Sequence, residues 1–229
     1  YARSTTMRII ALVLLAFVNR SQAFSSITSS TYRFYQQSTS LKMSKKVLVP
    51  IADDSEEIET ACITNVLTRF GADVTIASVM PGKLMCKMSR GMKVEADASI
   101  EDVAKEEFDM IVCPGGMPGA AHLRDSKTLI SMLKKQKTAD KSFAAICAAP
   151  AVVLAPNGLL DDIKGATCYP IAKFRKELSN PVDNDVAVIG NVTTSKGPGT
   201  SLAFALELGE QLYGKETRDK IQKEMLIES

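Results

Sequence analysis

Residues 142–155, SFAAICAAPAVVLA, constrain this chain more than any other stretch. An apolar run from Phe143 to Ile146 delivers one cysteine, Cys147, and a helix-forming run begins at once with Ala148. That abrupt change reads as a buried strand turning sharply into a helix. In open α/β folds, ligands bind outside the carboxyl ends of the strands, where such a junction sits. The junction is also a helix N-terminus, whose free N–H groups and partial positive charge favour a thiolate. Cys147 is therefore the candidate nucleophile.

The rest of the body supplies the sheet that this elbow needs. Residues 46–51 read as the first buried strand, and Asp53, Asp54 and Ser55 as a turn and cap. A helix is expected over 56–70, with Ile58, Cys62, Val66 and Leu67 at helical spacing and acids in its first turn. Gly71 ends it, and 74–79 is the next strand, a β-α-β unit with parallel strands and a right-handed crossover. Residues 81–99, with Pro81-Gly82 as a turn, read as an excursion of hairpin strands, followed by a short helix over 100–105. Residues 108–113 form another buried strand that ends in Pro114-Gly115-Gly116, and 123–137 is a helix. Beyond the elbow, 166–169 is short and apolar, and 186–189 with 192–194 resembles a hairpin. Gly197-Pro198-Gly199-Thr200 then leads into helices over 201–213 and 216–226. Alternating strands and helices predict an α/β three-layer sandwich around a mainly parallel sheet.

Charge and cysteine usage narrow the function. The formal net charge is +2, but residues 1–43 carry five basic residues and no acid. The remaining body holds 23 basic against 26 acidic residues, which gives no reason to expect nucleic-acid binding. Lys134, Lys135 and Lys137 read as a solvated helix face. The five cysteines are widely spaced and odd in number, without C-x-x-C, so neither a disulfide framework nor a zinc site is expected.

Residues 1–43 read as a targeting leader ahead of one domain over 44–229. Met7 and Arg8 open a signal-like stretch over 7–23, with an apolar core from Ile9 to Val18 and small residues at Ser21 and Ala23. Ten apolar residues are few for a bilayer span, so a membrane anchor is the lesser alternative and no membrane association is expected once the leader is removed. Residues 24–43 are rich in Ser and Thr, contain Arg33 and Lys42, and have the composition of a transit peptide. Signal, Phe24, then transit-like segment resembles the bipartite plastid leaders of algae with secondary plastids. Secretion is the alternative, and an odd cysteine set with a working thiolate argues against an oxidising destination.

Four stretches together resemble one family. They are Glu56-Glu57-Ile58-Glu59-Thr60 after the first strand, Pro114-Gly115-Gly116, the AAICAAP run, and Gly197-Pro198-Gly199-Thr200. Their order and placement at strand ends resemble the ThiJ/PfpI family, within the class I glutamine amidotransferase-like superfamily, and in it the branch of the parkinsonism-associated deglycase. The resemblance runs from about residue 45 to 226. It implies a flavodoxin-like fold, a homodimer, and a cysteine on a tight elbow. By position, Cys147 matches the family nucleophile and Glu59 the carboxylate that touches it. Gly115 and Gly116 match the loop whose amides face the cysteine, and Arg90 matches a basic position. The implied activities are glutathione-independent glyoxalase or deglycase chemistry on methylglyoxal, glyoxal or their glycated adducts, without metal or cofactor. Chaperone and peroxide-sensing roles are implied as well.

A protonated Glu59 would donate to Cys147 and favour its thiolate, so burial is expected to raise the Glu59 pKa and make it a proton carrier. On methylglyoxal, Cys147 would form a hemithioacetal, Glu59 would move protons between the two carbons, and hydrolysis would release lactate. The Gly116 and Ala148 amides would hold the oxyanion. One departure from the family matters: Tyr169 stands where many members carry a histidine, and the single histidine, His122, follows the glycine loop. A Cys-His dyad is then hard to build. Tyr169 is either a donor to substrate or structural. Cys62 and Cys113 read as small buried hydrophobes, Cys86 and Cys168 are open, and Glu56 and Glu57 read as solvated charges. The alternative function is a stress protein in which Cys147 is oxidised without turnover.

Overall fold

The computed structural model describes residues 44–228, so the leader expected over 1–43 lies outside the described residues. Strands β1 (Lys46–Ile51), β2 (Asp73–Ser78), β5 (Ala98–Ser99), β6 (Met110–Cys113), β7 (Ser142–Ile146), β8 (Val186–Ile189) and β9 (Val192–Ser195) form one sheet. Its order is β5-β2-β1-β6-β7-β9-β8, parallel throughout except for the antiparallel β8–β9 pair at the edge. Strands β3 (Met85–Lys87) and β4 (Lys93–Glu95) make a separate antiparallel hairpin.

The sheet is covered on both faces because its strands are apolar on both sides, as buried parallel strands must be. On β1, Val47, Val49 and Ile51 pack with Ile63 and Leu67 of α1 (Glu57–Arg69) and with Phe204 and Leu208 of α5 (Ser201–Tyr213). Leu48 points the other way, into a cluster with Leu123 of α2 (Gly119–Asp125) and Leu129 and Leu133 of α3 (Lys127–Thr138). The expected three-layer α/β sandwich is therefore the observed architecture. Helix α6 (Lys215–Glu224) closes the chain against α5, with Ile221 buried beside Val66 and Phe70.

Local chemistry explains where the expected elements differ. The helix over 100–105 is absent: the Asp102 carboxylate accepts from the Ser99 N–H and hydroxyl, locking a succession of tight turns. The helix over 123–137 is two helices, because Ser126 is extended and its hydroxyl accepts from Leu129 N–H as a new N-cap. In α1 the inward stripe is Glu59, Thr60, Ile63, Val66 and Leu67, whereas Ile58 is 52% exposed and Cys62 is half-buried. The run after Cys147 is a π-type turn, Pro150–Leu154, followed by a 3₁₀ turn, Ala155–Asn157. Pro156 has no N–H to continue an α-helical ladder, and the Ala155 N–H reaches back to Pro150 O instead. Residues 166–169 are buried at Ala166, Thr167 and Cys168 but form no strand.

Candidate active site

Four strand ends converge at the carboxyl edge of the sheet. β1 runs into residues 52–56, β6 into Pro114-Gly115-Gly116, β7 into Cys147, and β9 into Lys196-Gly197. The chain leaves β1 first towards β2 and later returns on its other side to β6, so this edge is a topological switch point.

Cys147 occupies the elbow with φ 63°, a left-handed conformation that costs a non-glycine residue about 1–2 kcal/mol. Two backbone bonds hold it there: Cys147 N–H donates to Ser195 O at 2.9 Å, and Tyr169 N–H donates to Cys147 O at 2.8 Å. Glycine is needed opposite. A Cβ on Gly115 would lie 2.7 Å from the Cys147 Cβ, and one on Gly116, whose φ is 86°, would lie 2.3 Å from Asp54 O.

Glu59 is fully buried in the first turn of α1. The Gly115 N–H donates to its Oε2 at 2.7 Å, while Oε1 has no hydrogen bond of standard geometry among the described residues. Burial pushes the carboxyl up to about 7. The Gly115 amide and a loose contact with the Cys147 thiol pull it back, and the Glu56 charge pushes it further up. The expected rise in Glu59 pKa is thus present. The expected low thiol pKa is not. Burial first, then the charge and hydrogen bonding of Glu59, push the Cys147 thiol up to about 12, against the smaller opposing pull of the Gly116 and Ala148 amides. A short, irregular turn after the elbow offers those separate amides rather than the aligned dipoles of a long helix. The pair rests as a thiol beside a carboxyl of near-neutral pKa, and that carboxyl is the group able to take the proton.

Glu56 and Glu57 are not the solvated charges expected. Glu56 is 7% exposed, caps α1 through Glu59 N–H donating to its Oε2 at 2.8 Å, and lines the cavity over Cys147. Its burial follows from the close approach of the glycine loop, whose Gly115 O accepts from Glu56 N–H at 3.1 Å. Glu57 is half-buried and accepts from the Ser89 hydroxyl at 2.8 Å and from Arg90 N–H at 2.7 and 3.0 Å. These bonds dock the β3–β4 hairpin on α1 and set Arg90 at the rim.

The cavity over Cys147 has a volume of about 380 Å³. Of the residues expected at the site, it is lined by Cys147, Gly116, Ala148, Tyr169 and Arg90. Gly115 and the fully buried Glu59 are absent from the lining; the Gly115 amide holds the Glu59 carboxyl behind Cys147. Pro198, from the Gly197–Thr200 motif, also lines the cavity, and Ser89, Met117, Ile171 and Phe174 complete the lining without having carried a signal of their own in the sequence. Gly197 passes so close that a Cβ there would lie 3.3 Å from the Tyr169 ring and 3.8 Å from the Cys147 sulfur. His122 is on α2 and contributes nothing to the lining. Cys113 is fully buried, with its thiol pushed up to about 12, and all five cysteines are free. Cys86 and Cys168 are also buried, the former against the Ser78 hydroxyl at 3.5 Å. Among the described residues no group of three or more potential ligands is placed to hold a metal ion, and no helix is long and apolar enough to cross a membrane.

Comparison with known proteins agrees with the observed fold. DJ-1 homolog B of Arabidopsis thaliana is 41% identical over 84% of this chain, which spans only 43% of that relative's length. A Caenorhabditis elegans protein named glutathione-independent glyoxalase DJR-1.2 is 32% identical over 79% of this chain and 95% of its own. The solved structure of oxidised Toxoplasma gondii DJ-1 superposes with a TM-score of 0.76 at 45% identity, covering 80% of this chain and 98% of that one. The profile of the DJ-1/PfpI family matches residues 45–211, and this chain belongs to that family.

Proposed function

We propose that this chain is a cysteine-dependent, glutathione-independent glyoxalase or deglycase that acts on α-oxoaldehydes or their adducts and serves in carbonyl and oxidative stress. The observation that carries the reading is the buried Glu59 carboxyl, near neutral pKa, beside the thiol of Cys147, which lines an accessible cavity. The glyoxalase name of the Caenorhabditis elegans relative supports it.

As Cys147 Sγ attacks the aldehyde carbon, Glu59 takes the thiol proton and passes it to the carbonyl oxygen, giving a hemithioacetal. The Gly116 and Ala148 amides hold the oxygen while it carries charge. Glu59 then removes the hydrogen from the former aldehyde carbon, and the electron pair moves to form an enediolate. The hydroxyl proton of the first carbon passes to the oxygen of the second, and the same carboxyl returns its proton to the second carbon as the C=O of the first re-forms. The product is a thioester of the 2-hydroxy acid. Water cleaves the C–S bond, releasing the acid and restoring the thiol. One water is consumed and no redox partner is needed. Tyr169 supplies a phenol to the wall where an imidazole would serve a dyad, which favours proton movement through Glu59.

The test is lactate formation from methylglyoxal at known protein concentration, in the wild type and in Cys147→Ala. Lactate in large excess over protein, lost in the variant, is expected. Consumption that stops at one equivalent per chain refutes the enzymatic reading. It would favour the second reading, in which peroxide oxidises Cys147 to the sulfinate without turnover, as the oxidised state of the Toxoplasma gondii relative suggests. Homodimerisation and plastid delivery through residues 1–43 are part of the proposal. Sedimentation of the 44–229 body tests the first. The destination of a fluorescent protein fused to residues 1–43 tests the second.

A further inference from the structure

We propose that the site is shaped for α-oxoaldehydes bearing a neutral, branched apolar substituent, in preference to methylglyoxal; this rests on the glyoxalase reading above. The cavity of about 380 Å³ lies in the range of sites that enclose drug-sized ligands, whereas methylglyoxal has five heavy atoms. The reactive end of any substrate must lie at Cys147 between the Gly116 and Ala148 amides, so the remaining volume receives the substituent.

The walls around that volume are apolar. Met117, Tyr169 and Ile171 are 47%, 42% and 40% exposed, and all three face this cavity together with the buried Phe174. Large apolar side chains left in contact with water beside a reacting centre gain when a substrate covers them. The floor is acidic. Glu56, only 7% exposed, lines it beside Cys147, and a buried carboxyl there works against a carboxylate or phosphate carried deep into the site. Arg90 is the cation of the lining, but it is exposed and fixed at the rim by its backbone bonds to Glu57. The selected substituent is therefore apolar and uncharged.

4-Methyl-2-oxopentanal adds three carbons to methylglyoxal, and their burial raises kcat/KM by on the order of tenfold to fiftyfold. The experiment measures kcat/KM for both aldehydes with the full chain, with Ile171→Ser and with Met117→Ser, circular dichroism confirming that each is folded. A ratio of about tenfold or more in favour of the branched aldehyde, falling several-fold in either variant, is expected. Turnover of methylglyoxal with a ratio near one overturns this inference and leaves the glyoxalase reading standing. A ratio that neither folded variant alters shows that these walls do not set the preference and overturns the assignment. Turnover of neither aldehyde overturns both readings together.

Discussion

Replacing Glu59 by Gln tests the central electrostatic claim without reference to any substrate. Burial holds the carboxyl at about 7 in the folded chain, against an ordinary value of 4.5. Between those values the folded state binds a proton that the unfolded chain has released. Stability from this group is therefore fully present below about 4.5 and is lost as pH rises through about 7. The difference corresponds to roughly 3 kcal/mol, since each tenfold change in proton affinity is about 1.4 kcal/mol. Glutamine keeps an oxygen for the Gly115 N–H and removes the ionisation. Chemical denaturation of both proteins from pH 4.5 to 8.5 measures the difference between them. That difference should grow in favour of Glu59→Gln by about 2–3 kcal/mol between pH 5 and pH 8 and be flat above. Other titrating groups are common to both proteins and cancel. Parallel stability profiles would refute the claim that burial raises this carboxyl, and with it the proton-carrier role.

The same substitution should make Cys147 more reactive towards iodoacetamide at pH 8, by roughly tenfold, because the carboxylate that opposes the thiolate is gone; equal alkylation rates would contradict the coupling. Turnover should fall in that variant even as alkylation quickens. Gly116→Ala should destabilise the fold by roughly 2–4 kcal/mol in urea denaturation, since the added Cβ meets Asp54 O at a φ of 86°; a loss under ~0.5 kcal/mol would show that the loop yields freely. Gly209→Ala should cost roughly 1–3 kcal/mol, because its Cβ would lie 2.3 Å from the Phe70 ring where α5 crosses α1; an unchanged melting midpoint would count against close packing there.

The elements legible in the sequence are those specified locally. Continuous apolar runs marked β1, β6 and β7, the glycine pairs marked the turns that follow them, and helical spacing marked most of α1 and α5. Where a single side chain redirects the backbone, periodicity misleads. The Ser126 hydroxyl splits one helix into two, the Asp102 carboxylate turns another into tight bends, and Pro156 converts the helix after the elbow into wider and tighter turns. Glu56 illustrates a different limit. A carboxylate at a helix start is ordinarily solvated, and only the approach of the Gly115-Gly116 loop from β6 removes it from water.

By itself, then, the sequence determined the α/β class and marked Cys147 and Glu59 as the candidate pair, because each is written in contiguous runs and in motifs at strand ends. Tertiary structure decided the protonation of that pair. A pKa depends on what surrounds a group in space, and the burial that lifts Glu59 to about 7 and the Cys147 thiol to about 12 comes from segments far apart in the chain. It also decided the cavity walls, where residues such as Met117 and Ile171 acquire meaning only through the strand ends they face.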